Sequence, residues 1–343
     1  MKACFVASSG GSISNTLESY GIPQIRMPLN THSPIRWLFL SRKIRKFIKS
    51  EGITVAHAHA RIPALLICGV RRLGCAEIVT VHAKFRAGFL RRILSRWGEK
   101  SIAVSEDLRA YLHNVYKIPM QRIDVIPNGI NLSHFSPKEE KTNGSPLRIL
   151  FASRLDGDCS LGAELLCQIA PALAQRIPNF TITIVGGGEK MEEIAERAKK
   201  VNDEEGFDCI SVEGVVQNMA PILQKQDIFI GVSRVALEAA ACGCAVILCG
   251  NEGYGGILTK ETFFEASLSN FCARNSQKAN TQKLLCDILE LANSFELRKK
   301  CALECRQLME TWYNSAFMCK KTLDVYQKSL HVPFHGTVAI GGY

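Results

Sequence analysis

The sequence predicts an α/β fold made of two parallel sheets, each covered by helices. Three observations lead there. Short β-branched runs alternate with helical stretches over residues 54–127. The same alternation restarts at residue 147 and continues to 249. Between them, residues 133–146 are polar, rich in turn formers and without periodicity. Strand–helix alternation buries both faces of a parallel sheet, and a restart after a polar stretch implies a second sheet. A chain of 343 residues suits two domains of ordinary size.

Taken in order, Ala3-Cys4-Phe5-Val6 opens the chain as a strand, and residues 54–57, 78–82, 101–104 and 124–127 read as further strands. Helical periodicity covers 36–50 and 107–116. Beyond the polar stretch, strands are expected at 147–152, 181–185, 209–212, 228–231 and 245–249, and helices dominate 281–330. The last residues, 331–343, are Gly-rich without helical pattern and read as a frayed tail. The expected division is a first domain over 1–136, a linker over 137–146, a second domain over 147–330 and a tail over 331–343.

Composition narrows the classes. Hydrophobic residues make up 47% of the chain, enough for two cores. Uninterrupted apolar runs, such as 64–68, are too short to span a bilayer, and the first residues lack a signal-peptide layout. A soluble cytoplasmic protein is therefore expected. Fourteen cysteines form neither a Cys-x-x-Cys pair nor a Cys/His zinc pattern. Most sit in apolar runs, so free thiols in a reducing compartment are expected, without a metal site. The net charge of +10 is localised, with fifteen Lys/Arg against three acidic residues over 36–100. Such a field attracts anionic partners. Nucleic acid is disfavoured because no base-reading module is present. Two apolar stripes among the basic residues, Trp37/Leu40/Ile44/Phe47/Ile48 and Phe85/Phe89/Ile93/Trp97, suit an anionic membrane surface or packing on a sheet.

The residues that carry chemistry lie mostly in the second half. Residues 231–250 run from a polar loop through Arg234 and Glu238 into an Ala-rich helix and a strand. A lone carboxylate there can accept hydrogen bonds from a ribose diol. The strand 147–152 leads to Arg154, whose guanidinium can fork onto a phosphate at any working pH. Gly186, Gly187 and Gly188 separate a strand from a helix, where backbone can approach a phosphate or sugar. Val215 follows in Val212-Glu213-Gly214-Val215. In the first half, Val79-Thr80-Val81-His82 ends a strand in a histidine, and His57-Ala58-His59-Ala60-Arg61 sets two histidines two residues apart. Those two are also conceivable metal ligands, but no third ligand is evident.

These motifs, in this order, resemble the family 4 glycosyltransferases, which have the GT-B fold of two Rossmann-like parallel-sheet domains facing across a cleft. The resemblance covers residues 1 to about 330. It implies that Arg154 holds a donor diphosphate, that Glu238 binds the ribose and that His82 contacts the sugar. It also implies donor binding at Gly186, Gly187 and Val215, and an acceptor side at His59 and Arg61. Arg234 is a further donor-side candidate by its own chemistry, a guanidinium suited to a phosphate or an acidic sugar.

Three departures from the family pattern matter. The lysine expected five or six residues after Arg154 is replaced by Cys159 and Ser160. The first glutamate of the family's spaced pair should stand at Ile230, and Ser233-Arg234 occupies the region that would face the sugar. The opening resembles the family's second strand–loop–helix unit, so the first unit, with a central strand, is expected to be absent, or to be encoded upstream. The resemblance implies a retaining hexosyltransferase without a cofactor or catalytic metal. It would move a sugar from a nucleoside diphosphate sugar to a lipid-linked or lipopolysaccharide acceptor, peripherally at the inner face of the plasma membrane. The other readings are a degenerate, non-catalytic nucleotide-sugar or membrane-binding subunit, and a sugar-nucleotide epimerase.

Overall fold

The computed structural model describes residues 4–8, 14–29, 31, 33–85, 88, 95–138, 146–274, 276–330 and 337–340. Its strands are β1 (Cys4–Ser8), β2 (Gln24–Arg26), β3 (Val55–Ala58), β4 (Ala76–Val81), β5 (Lys100–Ala103), β6 (Ile123–Val125), β7 (Leu147–Ala152) and β8 (Phe180–Val185). They continue with β9 (Ile210–Glu213), β10 (Ile228–Gly231), β11 (Ala245–Gly250), β12 (Gly253–Ile257) and β13 (Thr337–Ile340). The helices are α1 (Ser14–Ser19), α2 (Pro34–Ser50), α3 (Arg61–Ile67), α4 (Glu106–Tyr116), α5 (Leu161–Ala174) and α6 (Met191–Glu205). After them come α7 (Ala220–Leu223), α8 (Ser233–Ala241), α9 (Lys260–Leu268), α10 (Thr281–Asn293), α11 (Phe295–Trp312) and α12 (Ser315–Ser329).

Two compact units result, residues 1–127 with 318–343, and residues 128–317. The first holds a sheet of order β2-β1-β13-β3-β4-β5-β6, parallel at every pairing. Every residue of β3 and β4 is buried, as expected of strands covered on both faces. The second unit holds a sheet of order β12-β11-β10-β7-β8-β9, parallel except for β12 against β11. Alanines 236, 239, 240 and 241 let α8 lie close on this sheet, all fully buried beside Phe229, Val246 and Leu248.

The expected frayed tail is corrected at residues 337–340. They form β13, which pairs with β1 from Cys4↔Thr337 to Ala7↔Ile340 and with β3 from Thr337↔Val55 to Ile340↔Ala58. Ile340 is fully buried, and its carbonyl accepts the His59 N–H at 3.0 Å. β13 thus lies between β1 and β3, inside the sheet rather than at its edge. Four residues carry too little period to announce a strand. The ladders on either side, not the tetrapeptide itself, set its conformation.

The boundaries also differ from those expected. Residues 128–136 belong to the second unit: Phe135 packs with Leu237, Met309 and Tyr313, and its carbonyl accepts from Arg306 Nη1 at 2.7 Å. From Met318 onward α12 belongs to the first unit, where Met318 and Val325 pack against Val55, Ile78 and Ile102.

Of the two apolar stripes, the one on α2 is core. Leu40, Ile44 and Ile48 are buried against the sheet, with Trp37 and Phe47 half-buried. A different set on that helix, Ile35, Leu38 and Phe39, is exposed. In the other stripe Trp97 is buried against Phe85 and Tyr116, whereas Phe89 and Ile93 lie outside the described residues. No helix among the described residues is long and apolar enough to cross a membrane.

Candidate functional site

In the second unit, the strand-to-helix loops at the carboxyl edge gather most of the singled-out residues. Strands β9, β8, β7 and β10 are consecutive neighbours, so the loops that follow them lie side by side. This edge is where open parallel sheets bind ligands. Arg154 stands two residues beyond β7, exposed, with Nη2 3.9 Å from Cys159 Sγ.

Gly186 and Gly187 follow β8, and the structure gives them a further reason to be glycine. A Cβ on Gly186 (φ +156°) would stand 1.9 Å from the Ser153 carbonyl oxygen. One on Gly187 would stand 2.6 Å from Val215 Cγ2. The glycines therefore let the loops after β7, β8 and β9 close on one another. The Gly186 N–H is already spent on the Glu213 carbonyl at 3.1 Å, so it is not a phosphate donor. Val215 is 79% exposed, an apolar surface beside Gly187 and the Arg154 loop.

The helix after β10 carries the charged pair. Helix α8 begins at Ser233, so Arg234 and Glu238 fall one turn apart, and Arg234 Nε donates to Glu238 Oε1 at 2.8 Å. The Glu238 side chain is 9% exposed and that of Arg234 is 60% exposed. Ile230, where the family's first glutamate was expected, is a fully buried residue of β10. No carboxylate replaces it in the strand.

A cavity of about 360 Å³ lies nearby, lined by Gly157, Asp158, Glu164, Lys190, Asn251 and Lys278 among others. Lys190 Nζ donates to Glu164 Oε1 at 2.9 Å, and Ser160 Oγ donates to the same oxygen at 2.6 Å. These two bonds, the hydroxyl's the larger influence, hold the Glu164 carboxyl below its usual range. Sequence reasoning missed this cluster. Its members lie on separate elements, and only the Ser160–Glu164 spacing of one helical turn hinted at it.

In the first unit the histidines form a stacked row. His57 and His59 project to the same side of β3's line, with ring centroids 4.2 Å apart, and His59 stacks on His82 at 5.7 Å. His59 Nδ1 lies 3.4 Å from His82 Nε2. His57 is fully engaged, with Nδ1 2.7 Å from Tyr326 Oη and Nε2 2.7 Å from Thr80 Oγ1. Both of its ring nitrogens are taken, which removes it as a metal ligand. Among the described residues no group of three or more His, Cys, Asp or Glu is placed to hold a metal.

Burial, then the charge of His82, lowers the His59 pKa to about 4. Burial and both neighbours push His57 well down as well. His57 and His59 are therefore neutral at pH 7, imidazoles that donate and accept but do not carry charge. Arg61 opens α3, half-buried, two residues after His59. The Tyr326 partner had no sequence signal, since α12 and β3 are far apart in the chain.

Known proteins resemble this chain along both units. Residues 4–134 match the Glycosyltransferase Family 4 domain, and residues 146–271 match Glycosyl transferases group 1. The Bacillus subtilis protein EpsF, named as a glycosyltransferase, is 24% identical over 234 residues, covering 60% of this chain and 60% of that protein. A human protein named as a component of phosphatidylinositol N-acetylglucosaminyltransferase is 24% identical over 269 residues, covering 68% of this chain and 52% of that protein. The chain thus spans little more than half the length of these relatives. Among solved structures, a glycosyltransferase from Rickettsia africae superposes with a TM-score of 0.74 at 20% identity, covering 95% of this chain and 90% of that one. Anabaena Alr3699/HepE, solved in complex with UDP, gives 0.71 at 14% identity, covering 96% and 100%. With the two domain matches falling in chain order, one on each parallel sheet, and with the same architecture in solved glycosyltransferases, the chain belongs to the family 4 type of GT-B glycosyltransferases.

Proposed function

We propose that the protein transfers a hexose, with retention, from a nucleoside diphosphate sugar to a lipid-linked or lipopolysaccharide-type glycan acceptor, without a resident cofactor. One observation carries the donor half of this reading: Arg154, on the loop after β7, and Glu238, in the second turn of the helix α8 that follows β10, come after neighbouring strands of one sheet. Arg154 neutralises charge growing on the departing diphosphate. Glu238, largely desolvated, accepts from the ribose hydroxyls. Val215 offers an apolar surface to the base, and Gly187 lies beside it. His82 is assigned the sugar, and His59 and Arg61 the acceptor, by family resemblance. Anabaena Alr3699/HepE was also solved with UDP-glucose, which supports a nucleotide-sugar donor.

The acceptor half rests on α2. Exposed Ile35, Leu38 and Phe39 share that helix with exposed Arg36, Arg42, Lys43, Lys46 and Lys49, and the helix has no acidic residue. Apolar groups rimmed by cations suit the headgroup layer of an anionic leaflet. This would place the protein peripherally on the cytoplasmic face of the plasma membrane. The relatives include proteins named for phosphatidylinositol and for lipopolysaccharide.

The second reading, a non-catalytic binding subunit, is favoured by Ile230 and by the Cys159–Ser160 pair that replaces the lysine. Slow hydrolysis of UDP- and GDP-sugars by the purified protein separates the two. We expect measurable nucleotide release, reduced about 100- to 1000-fold in Arg154→Ala with the circular dichroism unchanged. Donor binding without release would sink the catalytic reading, and interconversion of free sugar nucleotides would indicate an epimerase.

A further inference from the structure

The cation missing after Arg154 leaves a diphosphate only partly neutralised. Ser160 cannot substitute: it is fully buried, its one hydroxyl proton directed at the neighbouring acceptors Glu164 Oε1 and Gly157 O. We propose that Arg234 supplies the second cation for the donor diphosphate, its guanidinium fork gripping the phosphate next to the ribose that Glu238 holds. This rests on the assignment of Glu238 to the ribose.

Strand register places the group. Phe151 of β7 pairs with Ile230 of β10, so Arg154, on the loop three residues on, and Arg234, in the first turn of α8 four residues on, follow neighbouring strands. Neighbouring strands are about 4.8 Å apart, and arginine side chains bridge that spacing readily. Arg234 Nε is fixed on Glu238 Oε1, which leaves both Nη atoms without a hydrogen bond among the described residues. From the ribose hydroxyls seated on Glu238, the phosphate stands three carbons and an oxygen further along the nucleotide, a span that an arginine side chain covers. The guanidinium beside that carboxylate is therefore within reach of the phosphate oxygens, and a fork of two donors matches them.

The start of α8 is also held in a fixed conformation. Ser233 has φ +59°, a left-handed conformation unusual for a side-chain-bearing residue. Its N–H donates to the Phe271 carbonyl at 2.9 Å, and its hydroxyl accepts from Asn270 Nδ2 at 3.0 Å. These anchors fix the backbone from which Arg234 projects. Lys190 is the competing cation; one of its three ammonium donors is engaged by Glu164.

Calorimetric titration of UDP, GDP, uridine and guanosine into the wild type, Arg234→Gln, Arg234→Lys and Lys190→Ala tests the assignment. We expect Arg234→Gln to weaken UDP or GDP binding at least about 10-fold and to flatten its salt dependence, with the nucleosides unaffected. Arg234→Lys should recover part of the loss, and Lys190→Ala should match the wild type. Equal loss for nucleoside and diphosphate would make Arg234 a prop for Glu238 and overturn the proposal. Unchanged diphosphate binding in Arg234→Gln would overturn it too, whether the loss appeared in Lys190→Ala or only in discrimination of UDP-glucuronate from UDP-glucose. A wild type that binds neither UDP nor GDP would instead refute the donor reading itself, and this inference with it.

Discussion

The two units arrive at parallel sheets by different routes. The second collects all six strands of its sheet from one continuous stretch, β7 to β12. The first needs both ends of the chain, because β13 is inserted between β1 and β3. A strand with a ladder on each side needs little propensity of its own, since its neighbours supply both its hydrogen bonds and its burial. The candidate site residues of the two units differ in charge as well. The first unit presents the neutral imidazoles of His57, held by Thr80 and Tyr326, and of His59. The second presents Arg154 and two cation-to-glutamate pairs, Arg234–Glu238 and Lys190–Glu164. Neutral donors and acceptors suit sugar hydroxyls, whereas fixed cations suit a diphosphate.

The sharpest way to break this comparison is to remove residues 331–343. Both ladders of β13 go with them, and the exposed edges of β1 and β3 cannot meet without rebuilding the sheet. We expect the first unit to lose more than about 5 kcal/mol, on the scale of a whole domain's stability. Amides of β3 and β4 should then exchange with deuterium rapidly while those of β7 and β8 stay protected. Protection retained in β3 and β4 would show that β13 is dispensable.

The converse change is Gly186→Ala. Its methyl group would overlap the Ser153 carbonyl, at a φ of +156° that side-chain-bearing residues rarely adopt. A loss of about 3 kcal/mol is expected in the second unit alone, read from the same peptides. A variant as stable as the parent would mean that the Arg154 loop moves freely.

A smaller effect separates the units by pH. The His59 pKa is lowered to about 4 in the folded unit from an ordinary value of 6.5. Below pH 6.5 the unfolded chain therefore binds a proton that the folded unit refuses, and stability present above 6.5 is lost as pH falls towards 4. The loss at pH 5 should be about 2 kcal/mol for the first unit, with His57 acting in the same direction. Urea midpoints at pH 7 and pH 5 measure it, and His59→Asn should reduce the difference. Equal midpoints in the parent would show that the row accepts protons freely.

The sequence announced much of the second unit because its signals are local. Strand 147–152 ending toward Arg154, the glycine run at 186–188 and the Ala-rich helix behind Glu238 each combine a period with a punctuating residue. The Arg234–Glu238 pair follows once the helix is known to start at Ser233, because four residues make one turn. The first unit was read less completely. Its stripe from Phe85 to Trp97 gave a helical period whose middle lies outside the described residues, while Trp97 proved to be core. The α2 stripe packs on the sheet, and the exposed Ile35, Leu38 and Phe39 stand off its period.

By itself, then, the sequence determined the type of most elements, the alternation that makes each sheet mainly parallel and the loop on which Arg154 sits, whereas Arg234 and Glu238, read as a loop before the Ala-rich helix, lie inside that helix. All of these depend on neighbours a few residues away. Tertiary structure alone decided that residues 337–340 are a central strand, that Tyr326 holds His57, that His59 meets His82 and that Lys190 joins Ser160 on Glu164. Each of these joins residues on separate elements through register or packing, and no local pattern encodes the distance between two strands or the helix that returns to cover them.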